Sequence, residues 1–373
     1  MKICLASYSA EEYSQTFVRD HISHLPGEVL PLLGDWPHWR HKGQFVLPKR
    51  YRLGVRFSNR LFPSWVTERI RKAGEIHLAS FIKRAEVTLA EFAPVGAGLV
   101  RPCRIAKVPL VVHFHGYDVY HRRTLEKYQK DYQEMFLSAA AFVVVSKAMC
   151  EQVGRLGAPR EKVHLNSCGV DVLRFDSTDA GSNPPHFLAM GRFVEKKAHF
   201  LTILAFERAL RQCHDIRLSL AGDGPLLDCC KQLVRALRLE EVVEFLGVVS
   251  HDRVPTMMRS FRGFVQHSVT APSGDSEGNP VAVMEAGASG LPVVSTKHAG
   301  IPDTVAHGET GLLSEEMDID SMANHMALLA RDPSLASTLG ENARVRIRTF
   351  FSMERSIQGL YGILEATAKG KMS

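Results

Sequence analysis

Short apolar runs alternate with longer amphipathic segments along nearly the whole chain of 373 residues. Such runs predict buried strands, and apolar residues repeated at helical spacing predict the helices between them. In the first half the predicted strands cover residues 2–6, 28–33, 87–92, 110–114 and 141–145. In the second half they cover residues 186–190, 216–220, 242–246, 263–266 and 292–295. The main predicted helices cover residues 125–139, 147–156, 199–212, 224–236, 280–289 and 319–330.

This alternation predicts βαβ units with mostly parallel sheets. Residues 176–185 are polar and rich in Gly, Pro and Ser, which is typical of a linker. We therefore expect an α/β protein with two Rossmann-like, doubly wound domains, residues 1–175 and 176–349, that face each other across a cleft. In such sheets ligands bind beyond the carboxyl ends of the strands, so functional residues are expected there.

Composition narrows the class of protein. Hydrophobic residues make up 45% and charged residues 23% of the chain, which excludes disordered and fibrous proteins. No apolar stretch approaches the roughly 18 residues of a membrane span, and the N-terminus lacks a secretory apolar region of roughly 7–15 residues. The seven cysteines are scattered without a C-x-x-C pair, which indicates reduced thiols. We expect a cytoplasmic protein.

The segment SGDSEGNPVAVMEA, residues 273–286, combines two acids with a predicted helix start. Glu277 lies in the loop and Glu285 inside the helix, with Pro280 expected at the first helical position. A helix N-terminus binds anions, and Gly278 allows the backbone to approach a phosphate closely. Each carboxylate accepts hydrogen bonds from hydroxyl groups, as on a ribose or a hexose. The segment thus predicts a site for a phosphorylated sugar.

Two further segments follow predicted strands. Arg192 and Lys197, in MGRFVEKKAH, have the charge to bind a diphosphate, although a basic surface turn is the alternative; we expect Lys196 to be solvated. His115, in LVVHFHGYD, can contact a sugar hydroxyl, although a structural histidine is the alternative. His113 and Asp118 are expected to be structural, with Asp118 capping the next turn. The glycine-rich turns at 221–225 and 247–250 either approach a nucleotide or are ordinary βα turns.

Together these segments resemble a retaining glycosyltransferase of family 4 with the GT-B fold, most densely over residues 186–313. The E-x7-E pattern of Glu277 and Glu285 is the most specific match, followed by GRFVEKKAH, HFHGYD and AGIPDTVAHGETGLL. FVRDHISHLPG resembles the branch that builds bacterial exopolysaccharides and lipopolysaccharides. The resemblance also implies that residues 350–373 form a C-terminal helix crossing back to the first domain.

The resemblance implies a hexose-type transfer from a nucleoside diphosphate sugar, UDP-sugar favoured, to a hydroxyl of a glycan or lipid-linked acceptor. Glu277 would bind sugar hydroxyls and His115 would face the donor sugar. The donor-binding residues implied by the motifs are Arg192, Lys197, Gly278, Asn279, Pro280, Val281 and Glu285. The departing phosphate would take the acceptor's proton, and no cofactor or metal is expected. The one D-x-D, Asp318–Asp320, is expected to cap a helix.

The sequence departs from the family's pattern at two places, and two alternative functions are compatible with it. SYSAEEYSQTF replaces the glycine-rich turn that many members have after the first strand, and Glu91 stands where related sequences often have His. Both lie in the acceptor-side domain, so the resemblance does not define the acceptor. The rivals are a sugar-nucleotide epimerase or phosphorylase on the same fold, and an inactive sugar-nucleotide-binding subunit.

Charge is uneven along the chain. Residues 1–175 hold 26 basic and 16 acidic residues, and the twelve basic residues between 38 and 84 lie beside all three tryptophans. Cations attract anionic lipid and Trp favours the membrane interface. The region therefore predicts binding to an anionic membrane surface or a lipid-linked acceptor, with a solvated basic face as the alternative. Nucleic acid is not expected, because no recognised binding motif accompanies the charge.

Overall fold

A computed structural model describes residues 1–10, 16–53, 64–176 and 178–370. By its internal contacts the chain forms two compact units. The first contains Met1–Val145, Met149–Asn166 and Ile357–Ser373, and the second contains Ser146–Ala148 and Ser167–Ser356.

The first unit is built on one sheet, in which the described residues form eight strands. These are β1 Lys2–Ser7, β2 Glu28–Leu33, β3 Arg40–His41, β4 Gln44–Phe45, β5 Val87–Glu91, β6 Leu110–His113, β7 Ala141–Val144 and β8 Val163–Leu165. Their order is β4-β3-β2-β1-β5-β6-β7-β8, and only the short β3 and β4 pair antiparallel. The central strands are buried on both faces, as expected where helices cover a parallel sheet.

The second unit has a sheet of six strands in the described residues, all parallel. They are β9 His186–Met190, β10 Arg217–Ala221, β11 Val243–Gly247, β12 Gly263–Gln266, β13 Val293–Thr296 and β14 Gly311–Ser314, in the order β11-β10-β9-β12-β13-β14. The prediction of two Rossmann-like domains with parallel sheets is therefore confirmed. Because β9 and β12 are central, the loops after them lie at the middle of the carboxyl edge.

Helices cover most of the segments between strands. In chain order they are α1 Thr16–His24, α2 Ser64–Ile82, α3 Ala93–Ala106, α4 Tyr117–Tyr120, α5 Arg122–Ser138, α6 Lys147–Arg155, α7 His199–Leu210, α8 Leu227–Ala236, α9 Val254–Met258, α10 Val281–Ala288, α11 Ile301–Thr304, α12 Ile319–Arg331, α13 Pro333–Phe350 and α14 Met353–Ala368. Of the residues that the resemblance assigned to a crossing helix, Met353–Ala368 form α14, and the described residues from Ile357 onward group with the first unit.

The segment predicted as a linker is instead packed into the second unit. Asp179 accepts a hydrogen bond from the Gly181 backbone and caps a single 3-10 turn, Ala180–Ser182. Ala180 is buried in the hydrophobic core of that unit. The prediction was wrong because small and polar residues serve equally well as caps and as close-packing positions. Residue 177 lies outside the described residues.

Candidate functional site

The loops after β9, β10 and β11 are joined to one another through their backbones. The Gly191 N–H donates to the carbonyl of Ala221 at 2.9 Å, and the Gly222 N–H donates to the carbonyl of Gly247 at 2.7 Å. Gly222 has a φ of +138°, and a Cβ there would collide with the Gly191 carbonyl. Only glycine fits this position. The loop after β10 therefore supports the loop that carries Arg192.

Lys197 and Glu277, predicted as separate donor-binding residues, form an ion pair. The Lys197 Nζ lies 3.0 Å from Glu277 Oε1, and the two side chains are 14% and 7% exposed. Lys197 also donates to Gln266 Oε1 at 3.4 Å, at the end of β12. Arg192, in contrast, is exposed and has no charged partner among the described residues. Of these two predicted cations, the loop after β9 thus presents Lys197 paired and Arg192 without a charged partner among the described residues.

Lys196 is held by the protein, so the expectation that it is solvated was wrong. Its Nζ donates to Asp275 Oδ1 and to the Ser276 carbonyl, each at 3.0 Å. Sequence spacing could not show this, because the partners are about eighty residues away along the chain. Lys196 and Lys197 together fix the loop that leads into Glu277.

The backbone of Glu277 is also held from β13. Its N–H donates to His298 Nε2 at 3.1 Å, and His298 Nδ1 lies 2.6 Å from Glu316 Oε1. Since Nε2 accepts, the ring proton is on Nδ1 and is donated to Glu316. Burial alone would raise the pKa of Glu277, but the positive charges of Lys197 and Lys196 lower it below its usual value. The Glu277 carboxylate is therefore ionised at neutral pH.

His298 and Glu316 were not identified from the sequence. His298 follows the carboxyl end of β13, which is the position where functional residues of a parallel sheet are expected. That signal was available, but a lone histidine after a strand has no distinctive spacing.

Residues 278–281 lead into helix α10. Pro280 is the N-cap and the helix begins at Val281, so the prediction of Pro280 at the first helical position was one residue early. Asn279 Oδ1 accepts from Thr304 Oγ1 at 3.0 Å. The Asn279 Nδ2 is buried and has no hydrogen-bond partner among the described residues. An unpaired buried donor beside a helix N-terminus is suited to an anionic or hydroxyl ligand.

Glu285 lies inside α10 in an apolar setting. Its side chain is 7% exposed, and His251 Nδ1 lies 3.9 Å from its Oε1. Burial raises the pKa of Glu285 to about 7, which the positive charge of Arg174 only partly offsets. Glu277 and Glu285 are thus ionised to different extents at the same pH.

The first unit contains a buried cluster around Glu91, at the end of β5. Glu91 has 0% exposure; its Oε2 lies 2.7 Å from His115 Nε2 and its Oε1 lies 2.7 Å from His21 Nδ1. His113 Nδ1 lies 3.1 Å from Oε2 without hydrogen-bond geometry. Burial raises the pKa of Glu91, but His21 and then His113 lower it well below its usual value. Burial lowers the pKa of His115 to about 3.

Asp118 has a wider structural role than the predicted turn cap. Its carboxylate accepts from the backbone N–H groups of Ala93, His115 and Gly116, at 2.9, 3.0 and 3.1 Å. It therefore ties the loop after β6 to the start of α3. Burial raises the pKa of Asp118 to about 6.

Within the described residues, one group of His and Glu side chains has the ligand atoms close enough together to hold a metal ion. Ligand atoms of His21, Glu91 and His113 lie within 4.8 Å of one another. Each Glu91 oxygen already has a histidine nitrogen at hydrogen-bond distance. Asp318 of the D-x-D caps α12 by accepting from the Ser321 N–H at 2.9 Å, as predicted.

The basic region between residues 38 and 84 is only partly described, because residues 54–63 lie outside the described part. Trp39 is buried, and Trp36 packs against Gly74 of α2. Trp65 is 62% exposed. Two of the three tryptophans are therefore packing residues. None of the helices that the structure describes is both long and apolar enough to span a bilayer.

Comparison with known proteins places both units in recognised families. Residues 24–174 match the model "Glycosyltransferase Family 4", and residues 174–346 match "Glycosyl transferases group 1". The chain is 32% identical to the putative colanic acid biosynthesis glycosyltransferase WcaL of Escherichia coli, over 76% of this chain and 71% of that protein. It is 30% identical to the amylovoran biosynthesis glycosyltransferase AmsK of Erwinia amylovora, over 76% and 71%. HepE of Anabaena, solved in complex with UDP, has the same fold, with a TM-score of 0.77, 19% identity and coverage of 98% and 100%.

Proposed function

This chain belongs to glycosyltransferase family 4 and has the GT-B fold, and from that premise we propose that it transfers a hexose-type sugar from a nucleoside diphosphate sugar to a hydroxyl group. The observation that carries the proposal is the Lys197–Glu277 pair at 3.0 Å beside the unpartnered Arg192. The pair offers a cation for the diphosphate and a carboxylate for sugar hydroxyls in one buried place.

Each part of the nucleoside diphosphate sugar is assigned to residues of this chain. Arg192 and Lys197 bind the diphosphate, Glu285 binds the ribose hydroxyls and Glu277 binds hydroxyls of the donor sugar. Residues at the start of α10 line the phosphates: Gly278, Asn279, Pro280 and Val281. His115 acts on the donor sugar as a hydrogen-bond partner. UDP is the favoured nucleotide, because the structural neighbour HepE was solved with UDP.

We propose transfer with retention at the anomeric carbon. The bond from that carbon to the diphosphate breaks through an oxocarbenium-like state, and the acceptor hydroxyl forms its new bond on the same face. The departing phosphate oxygen takes the acceptor's proton. Arg192 and Lys197 stabilise the negative charge on the departing diphosphate, so the reaction needs no metal ion.

The acceptor is proposed to be a glycan or a lipid-linked sugar in exopolysaccharide or lipopolysaccharide synthesis. The names of WcaL and AmsK support this class of acceptor. One exposed face of α2 supports docking on an anionic membrane at the cytoplasmic side. Trp65, Arg69, Lys72 and Ile76 follow one another at helical spacing and are all exposed, which combines interface-seeking rings with cations.

The experiment uses proton NMR to monitor turnover of the donor. The full chain is incubated with UDP-glucose, UDP-galactose and GDP-mannose in water, which serves as a poor acceptor. We expect nucleoside diphosphate release with one donor and the released sugar first seen as the anomer present in that donor. Release no faster than from the Glu277→Ala variant, for every donor, would contradict the proposal. Initial release of the opposite anomer would contradict retention alone.

A further inference from the structure

Glu91 ends strand β5, and His115 lies in the loop after the neighbouring strand β6. Glu91 is the last residue of β5, and its backbone register partner is His113, the last residue of β6. His115 follows two residues later, where Asp118 fixes its backbone N–H. This arrangement puts His115 Nε2 2.7 Å from Glu91 Oε2. The contact depends on strand pairing and on the loop, and so it is built into the fold.

The chemistry of the contact determines where the His115 proton lies. An ionised carboxylate only accepts hydrogen bonds, so Nε2 must carry the proton. The ring is neutral, and its Nδ1 is therefore an acceptor with an available lone pair. A ring in this state can accept a hydrogen bond from a hydroxyl group, whereas the opposite tautomer could not do so at that nitrogen.

The His115 ring is also fixed on its faces. Phe17 stacks on it with ring centroids 3.9 Å apart, and Phe92 lies at 5.0 Å. His21, from α1, occupies the second oxygen of Glu91 at 2.7 Å. The carboxylate therefore has one oxygen bound to His21 and the other directed to His115, which leaves it little freedom to rotate.

We propose that Glu91 is a positioning residue of the transfer reaction, which holds the His115 ring in place and fixes its Nε2–H tautomer so that Nδ1 accepts a hydroxyl of the donor sugar. The assignment rests on the proposed function for the role of His115. Glu91 itself is fully buried and acts through the histidine. His21 has a supporting part, because it holds the other carboxylate oxygen.

The kinetic test is a double-mutant cycle on UDP release from UDP-glucose. In the wild-type background, Glu91→Gln should lower kcat on the order of tenfold and raise KM for UDP-glucose, because the sugar hydroxyl loses its hydrogen bond to Nδ1. In the His115→Ala background, the same change should alter kcat by less than about twofold. Equal losses in both backgrounds would overturn the proposal, since a purely structural role is independent of His115.

Thr88→Val is the matched control. Thr88 is a fully buried polar residue of the same strand β5, on the opposite face by strand alternation. Its substitution should leave kcat unchanged. A loss equal to that of Glu91→Gln would assign the effect to general damage of β5 and would overturn the proposal.

A second measurement needs neither turnover nor a folded Glu91 variant. Nitrogen-15 NMR of the wild-type ring nitrogens reports the tautomer of His115, with its resonances identified by their loss in His115→Ala. The proposal predicts a protonated Nε2 and an unprotonated Nδ1. A protonated Nδ1 would overturn it. If wild-type protein releases no UDP, the proposed function fails, while the ring measurement still decides whether Glu91 fixes His115.

Discussion

The ammonium nitrogen of Lys197 lies 3.0 Å from the carboxylate of Glu277, and both side chains are buried. The pair joins the loop after β9 to the loop before α10. In the proposed complex Lys197 binds phosphate and Glu277 accepts hydrogen bonds from sugar hydroxyls, so each group exchanges its partner in the protein for one on the donor. The resting ion pair thus keeps two donor-binding groups in place without leaving either charge buried alone.

Removing the positive charge of Lys197 should lower both the stability of the protein and its transfer activity. Lys197→Met leaves Glu277 buried without its cation and should destabilise the second unit by about 3 kcal/mol. It also removes charge stabilisation of the departing diphosphate, so kcat should fall on the order of a hundredfold or more. Urea unfolding and UDP release measure the two effects.

The double variant Lys197→Met/Glu277→Gln separates these effects, because it should recover stability without activity. Lys297→Ala is the control, since Lys297 forms an exposed pair with Glu315 and should change neither quantity. Recovery of activity in the double variant would contradict the assigned roles.

Arg192 should matter for the donor but not for the fold. It is exposed and unpartnered among the described residues, so Arg192→Ala should change the free energy of unfolding by less than about 0.5 kcal/mol. A charged hydrogen bond to phosphate contributes about 1.5–3 kcal/mol, so UDP affinity should fall roughly tenfold or more. Calorimetric titration with UDP measures this, with exposed Arg235→Ala as the unaffected control. An unchanged affinity in Arg192→Ala would remove Arg192 from the donor site.

His298 should act through the Glu277 backbone. His298→Ala leaves the Glu277 N–H without its acceptor, a loss of about 1–3 kcal/mol for a buried group. We expect slower UDP release from UDP-glucose, with His298→Gln restoring part of it because an amide oxygen can accept the same hydrogen bond. Full activity in His298→Ala would show that the Glu277 loop does not need this contact.

Glu285 should make the protein less stable at high pH. The pKa of Glu285 is about 7 in the folded protein, against 4.5 for an ordinary glutamate. Between these two pH values the folded chain therefore holds a proton that the unfolded chain has lost. Its stabilising contribution is present below the ordinary pKa and is lost as pH rises through 7. The lost contribution is roughly 3 kcal/mol.

Glu285→Gln removes this titration. The stability of the variant relative to wild type should therefore increase between about pH 5 and about pH 8. Urea unfolding at both pH values measures the difference. Glu277→Gln is the opposite case: the Glu277 pKa is lowered, so its contribution is present above the ordinary pKa and is lost as pH falls. If the difference in unfolding free energy between Glu285→Gln and wild type is the same at both pH values, that result would contradict the raised pKa of Glu285.

The exposed face of α2 should bind anionic liposomes in a salt-sensitive manner. Neutralising Arg69 and Lys72 removes about 2 kcal/mol of attraction, or roughly a thirtyfold loss of binding. Flotation with phosphatidylglycerol vesicles measures this at low and high salt. The control is Arg123→Gln/Lys130→Gln, two exposed cations of α5. Equal binding by both double variants would exclude α2 as the docking face.

The sequence allowed prediction of the two sheets and of most residues in the second unit's site, for a physical reason. Strand ends are local signals, so Arg192, Lys197 and the Glu277 segment could be placed at a carboxyl edge from the pattern alone. The strand pairing that brings Glu91 to His115 is not local, and the His21–Glu91 contact joins residues 70 positions apart. Glu91 therefore stood out in the sequence only as a departure from the family.

Predictions from composition were wrong where the same type of residue has two possible structural roles. The small and polar residues of 176–185 predicted a linker but cap and pack a turn of the second unit. The prediction that Lys196 is solvated was wrong, because its acidic partner Asp275 lies far along the chain and local spacing does not reveal it. The short strands β3 and β4 were not predicted, since two-residue strands have no detectable period.

The most direct test of the central claim is a thermal-shift screen of the full chain against UDP, GDP, ADP and their common sugars, without added metal. A ligand at about 100 times its dissociation constant stabilises the folded state by about 2.7 kcal/mol. We expect a clear shift with uridine nucleotides, lost in Arg192→Ala. A folded protein that shows no shift with any nucleotide, or an equal shift in Arg192→Ala, would contradict a donor site built on Arg192, Lys197 and Glu277.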